Sequence, residues 1–122
     1  MMLKLLQSNR KLIKPNIFNL MCYYFEIKSP LGVFVRTTQH YWEKIVTIKH
    51  PIMKDKEDLV KKSISNPNII HKSKIDDSVY LYYSRENSYY CCVVVRHLNN
   101  HGFIITTYRT DKIKIGDQVW PI

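Results

Sequence analysis

Cysteine is scarce in this sequence: Cys22, Cys91 and Cys92 are the only three in 122 residues. Three thiols do not make a disulfide framework, and no second C-x-x-C or spaced histidine pair completes a zinc site. Cys91 and Cys92 are neighbours in a strand-like run and so point to opposite faces, which reads as small buried apolar side chains in a reducing cytoplasm. Long apolar runs are also missing. None reaches the roughly 20 residues that a membrane span needs. The first stretch, MMLKLLQSNRKLIKPNIFNL, is broken by Gln7 to Lys11 and by Lys14-Pro15 before a signal-peptide core forms. Repeats and low-complexity segments are absent. Acid is the last shortage: Asp+Glu 10 against Lys+Arg 19 gives a net charge of +9, which favours a polyanionic partner, either nucleic acid or an anionic membrane surface.

What is present reads as one domain. Residues 1–20 form a basic extension with Lys4, Arg10, Lys11 and Lys14 and no acid, so residues 21–122 carry 9 minus 4, or +5. Early in the domain a pair of apolar runs flanks Ser29-Pro30-Leu31-Gly32, a turn signal that predicts a β-hairpin. From Thr38 the period changes to that of a helix. Tyr41, Trp42, Ile45, Val46 and Ile48 fit one face, Thr37 or Thr38 serves as N-cap, and Pro51 ends the segment. A second helix is expected in DKEDLVKKSIS, capped by Asp55, with acids first and Lys61-Lys62 last. IIHKSKI begins a sheet. VYLYYSR, YYCCVVVRHL and GFIITTYRTD continue it as an antiparallel meander, and Trp120 in the tail either covers the sheet edge or lies free. The predicted architecture is therefore α+β: two helices packed on one face of a roughly four-stranded antiparallel sheet, preceded by an N-terminal β-hairpin.

Five segments in this order bear a resemblance. YWEKIVTIKHP with His50, NPNIIHKSKID with Ser73, VYLYY with Tyr80 and Tyr82, YCCVVVRHL with Arg96, and GFIITTYRTDKIKIG with Thr106, Tyr108 and Thr110 resemble the phage-type branch of the nuclease group that joins barnase, EndoU, colicin-type tRNases and RelE-like toxins. The likeness spans residues 41–120. Thr107 and Arg109 depart from the family's small and apolar residues between the strand hydroxyls. The resemblance implies an RNA-binding cleft on the open face of the sheet and RNA cleavage without a metal or other cofactor. It also implies a toxin or phage-derived module, working in the cytoplasm on tRNA, mRNA or ribosome-associated RNA, with an antitoxin or immunity protein as its partner.

The residues themselves are consistent with this chemistry. RNA carries its own nucleophile, the 2'-hydroxyl, so cleavage needs a base, a stabiliser for the phosphate and an acid for the leaving oxygen. No carboxylate pair in these segments is suited to Mg2+. His50 sits at a helix end, as an acid–base group or as a cap for the last carbonyls. Arg96 follows a run of valines and either grips a phosphate or covers apolar neighbours with its stem. Alternation along the last strand of the meander sets Thr106, Tyr108 and Thr110 on one face; the two threonine hydroxyls are candidates to contact phosphate oxygens. Lys72 enters by its charge and Ser73 by the resemblance. Tyr80 and Tyr82 share a face, where they either stack unpaired bases or pack in the sheet. His101 reads as a turn residue. His97 is given no role. Two functions stay open: a ribonuclease, or an RNA-binding or protein-interaction module without catalysis on the same fold.

Overall fold

Strand formation begins where the chain is richest in β-branched and aromatic residues. A computed structural model describes residues 23–122; the expectations for residues 1–20 and for Cys22 lie outside the described residues. The N-terminal hairpin is β1 (Phe25–Lys28) and β2 (Phe34–Thr37), closed by a turn in which the Gly32 N–H donates to the Ser29 carbonyl at 2.9 Å. Gly32 sits at φ 82°, where a side chain would be strained. Helix α1 (Gln39–Lys44) follows, then a π-helical turn (Ile45–Lys49), a 3-10 turn (Pro51–Met53) and helix α2 (Glu57–Ser65). The remaining strands are β3 (Ile69–Ser73), β4 (Val79–Glu86), β5 (Tyr89–Leu98), β6 (His101–Thr110) and β7 (Gly116–Trp120).

The expected four-stranded antiparallel sheet is corrected by this arrangement. All seven strands form one mixed sheet in the order β1-β2-β6-β5-β4-β3-β7, with β2 and β6 parallel. The hairpin joins the sheet instead of preceding it, and the tail adds β7 beside β3. The physical reason is that a bare meander would leave unpaired N–H and C=O groups along β6 and β3, and the short outer strands take up both edges. Local turn chemistry is clear: Asn87 and Asn99 hold positive φ at the two tight hairpins, a conformation asparagine tolerates.

The single long helix expected up to Pro51 is also broken. Thr38 caps α1, its hydroxyl accepting the Tyr41 N–H at 3.1 Å. After Lys44 the winding loosens to i→i+5, closed by the His50 N–H on the Ile45 carbonyl at 2.7 Å, while the Thr47 hydroxyl donates to the Glu43 carbonyl at 2.6 Å. The wider turn shifts the phase of the side chains: Ile45 and Val46 are buried, yet Ile48 is left exposed. Helix α2 starts at Lys56 without a side-chain cap and buries Val60, Ser63 and Ile64.

Two apolar clusters lie on opposite faces of the sheet. On the helix side Trp42, Ile45, Val46, Met53, Val60 and Ile64 pack on Phe25, Val35, Ile70, Tyr82, Val93, Val95 and Ile104. The other face carries a smaller cluster of Leu81, Tyr83 and Cys92, joined by Ile69, Tyr90, Val94, Tyr108 and Ile113. Ile113 belongs to the connection from β6 to β7, which crosses over this second face. The Tyr83 hydroxyl accepts the Lys114 N–H at 3.0 Å, and His71 Nδ1 donates to the Lys114 carbonyl at 2.9 Å. The crossing covers one side of the face and leaves open the side nearer β2.

Candidate nucleic-acid interface

The uncovered side of the second face is shaped by the end of β2. Its last pair with β6 is Arg36 with Phe103, so from Ile104 onward the outer edge of β6 has no strand beside it. Ile105 is the extra residue of a bulge, since Val94 pairs with Thr106 and Val95 with Ile104. Side chains from the helical segment serve this edge: the Tyr41 hydroxyl donates to the Ile105 carbonyl at 2.8 Å, and Lys49 Nζ lies 3.4 Å from the same oxygen and 3.4 Å from the Tyr41 hydroxyl. A cleft of about 310 Å³ opens here, lined by Arg36, Thr37, Thr38, Tyr41, Arg96, Phe103, Ile104 and Ile105.

Two guanidinium groups flank this cleft. Arg36, Phe103 and Arg96 form one cross-strand row over β2, β6 and β5. Arg36 is paired with Glu26 and donates to the Tyr23 hydroxyl at 3.3 Å. Arg96 donates to Asp76 Oδ2 at 3.2 Å and to the Ser78 hydroxyl. The N–H and hydroxyl of Ser78, with Arg96 behind them, hold the Asp76 carboxyl below its ordinary value, so it stays ionised near neutral pH. Both arginines are thus held by exposed ion pairs, which are weak and open to competition.

The π turn delivers His50 to the same edge. Its ring lies 5.6 Å from that of Tyr108, with the planes at 36°, and among the described residues nothing hydrogen-bonds the imidazole. Burial pushes the Tyr108 phenol well above its ordinary value, so the hydroxyl stays protonated and able to donate.

The other sequence-derived candidates divide between the two faces. Thr106 and Thr110 share the face of Tyr108, on pairs with Val94 and Tyr90. The Thr106 hydroxyl is buried and has no partner among the described residues, and the Thr110 hydroxyl is closed on the backbone of Lys112, at 3.1 Å to its carbonyl and 3.2 Å from its N–H. Neither is free to meet a phosphate as placed. Ser73 alternates onto this face too, but its hydroxyl accepts the N–H groups of Ile75 at 3.1 Å and Asp76 at 3.3 Å, which makes it a turn cap.

Lys72, Tyr80 and Tyr82 lie on the helix side instead, because Lys72 pairs with Tyr80 and Tyr82 with Val93 of the main core. Tyr82 is fully buried, and its phenol is pushed up to about 12 by that burial. Its hydroxyl lies 2.9 Å from His97 Nε2. Tyr80 stacks on the same imidazole with ring centroids 3.8 Å apart. Neither tyrosine shares a surface with His50. Tyr80 walls a separate hollow of about 490 Å³ with Leu31, Val33, Asp77, Ser78, His97 and Asn99.

Arg36, Lys49 and Phe103 were not singled out from the sequence, and Tyr41 was placed only on the apolar face of a helix. Alternation in FVRT does set Arg36 opposite the buried Val35, but the pairing of β2 with β6 and the bulge at Ile105 have no local signal. Among the described residues no group of three or more His, Cys, Asp or Glu side chains could hold a metal ion, and no helix is long and apolar enough to cross a membrane. No family model, curated protein or solved structure matches the chain.

Proposed function

We propose that the chain is a ribonuclease that cleaves RNA by attack of its own 2'-hydroxyl, without a metal. The observation that carries this reading is the meeting of His50 with Tyr108, 5.6 Å between ring centroids, beside an edge lined by Arg36, Arg96 and Lys49. In this scheme His50 takes the 2'-hydroxyl proton, the 2'-oxygen bonds to phosphorus, and the bond to the 5'-oxygen breaks as that leaving oxygen takes a proton from water. The products are a 2',3'-cyclic phosphate and a 5'-hydroxyl end. Lys49 balances charge on the scissile phosphate, the protonated Tyr108 hydroxyl donates to it, and Arg96 meets a neighbouring phosphate of the strand. The roles first given to the Thr106 and Thr110 hydroxyls pass to these groups. The substrate would be tRNA, mRNA or ribosome-associated RNA in the cytoplasm, and a protein antitoxin would be a fitting partner for so basic a chain.

A second reading, RNA binding without cleavage, is favoured by the internal pairing of Arg96 with Asp76 and of Thr110 with Lys112. One experiment separates the two. Expression of the intact chain should create new 2',3'-cyclic phosphate ends in total RNA, and His50→Ala should abolish them while RNA binding persists. Equal ends with and without the protein would leave only the binding reading.

A further inference from the structure

Phe103 occupies an unusual place. Its strand lies inside the sheet, yet its ring is 39% exposed, with Arg36 on one neighbouring strand and Arg96 on the other. Apolar rings in the interior of a sheet are ordinarily covered, and the helices that cover this sheet lie on its opposite face. Every base offers a π-face, so a part-exposed ring between two arginines, with His101 edge-on at 5.7 Å between centroids, suits an unpaired base whose flanking phosphates meet the guanidinium groups. The cleft of about 310 Å³ falls within the roughly 300–1,000 Å³ of small-ligand sites. A duplex fits poorly, because paired bases turn their faces inward and present only groove edges and backbone.

We propose that Phe103 is a stacking platform for one unpaired nucleotide, with Arg36 and Arg96 holding the phosphates beside it, so that the protein's substrate is single-stranded RNA. This deepens the ribonuclease reading and rests on it for the cut, though the binding is tested apart from it. Five positions of β6, one of them bulged, separate Phe103 from Tyr108, a span of about 15 Å at strand rise. The stacked base therefore belongs to a neighbour of the cleaved nucleotide. Glu26 and Asp76 hold the two arginines in place until phosphate competes for them.

The test uses the full chain and a labelled 2'-O-methyl RNA oligonucleotide of about ten nucleotides, which lacks the reacting hydroxyl, single-stranded or annealed to its complement, read by fluorescence anisotropy. The single strand should bind about tenfold or more tightly than the duplex, and Phe103→Ala should weaken single-strand binding about tenfold while leaving duplex binding unchanged. Phe103→Trp should retain it. Duplex binding as tight as that of the single strand, or wild-type binding by Phe103→Ala, overturns the proposal. If Phe103→Ala does not fold, Phe103→Leu removes the aromatic face at similar volume and decides in the same way. The two readings fail separately. Loss of binding in Phe103→Ala with cyclic ends persisting in His50→Ala removes the chemistry from His50 and keeps the stacking site. The reverse pattern removes the stacking site and keeps the chemistry.

Discussion

His50 and Thr106 put the site to opposite tests at the level of single residues. If the imidazole moves the proton, His50→Ala should lower cleavage by about 10² to 10⁴-fold with little change in unfolding temperature, checked by single-turnover cleavage beside thermal melts. The Thr106 hydroxyl is buried without a partner among the described residues, so it is a cost to the fold. Thr106→Val should stabilise the protein by about 1 kcal/mol, measured by urea unfolding. A fall in stability would mean that the hydroxyl is bonded after all. The strand hydroxyls also show where reading by alternation stops. Period two sets Thr106, Tyr108 and Thr110 on one face, as the pairing does, but which hydroxyls are free is decided by the Lys112 backbone and by burial. Those are tertiary facts with no local trace.

At the scale of elements, the meander of β4, β5 and β6 was legible because β-branched and aromatic runs alternate with Asn-rich turns. The parallel seat of β2 was not, since its partner lies far along the chain. The π turn was hidden for a different reason: Trp42, Ile45 and Val46 fit a regular helix equally well, and only the i→i+5 closure at His50 reveals the added residue. A π turn is an α-helix carrying one residue more than its neighbours require. Deleting Thr47 should therefore restore regular helix, leave helical circular dichroism intact and take His50 off Tyr108, with loss of cleavage if His50 is the proposed base. The seam between β2 and β6 gives another prediction. A Cβ at Gly102 would lie 2.8 Å from the Arg96 carbonyl oxygen and 3.1 Å from a Val95 methyl. Gly102→Ala should cost about 1 to 3 kcal/mol in denaturant unfolding, because backbone cannot step aside as a flexible side chain does.

For the whole molecule, charge and acid sensitivity are the properties to measure. If Arg36, Lys49 and Arg96 are the phosphate contacts, three in all, log K for single-stranded RNA should fall with log salt at a slope of about −2. Stability should be lost on acidification. Burial lowers the His97 imidazole from 6.5 to about 4, so between those values the unfolded chain binds a proton that the folded one refuses. The contribution is whole above pH 6.5 and is lost as pH falls toward about 4. Asp76 and Asp117, whose carboxyls are held low by Ser78 and by Lys74 respectively, add loss below their ordinary range. Melts between pH 7 and 4 should show the slope, and His97→Gln should flatten its upper end.

The parallel seam has a bearing on the order in which the molecule matures. Arg36 and Phe103 stand 67 positions apart (103 minus 36), while β4, β5 and β6 meet through tight local turns. Contacts between near neighbours close faster than distant ones. The hairpin that leaves the ribosome early must then wait for a docking edge that is synthesised late. The cleft has no second wall until that wait ends, so if the chain cuts RNA as proposed, a half-made copy would spare the transcript from which it is being translated.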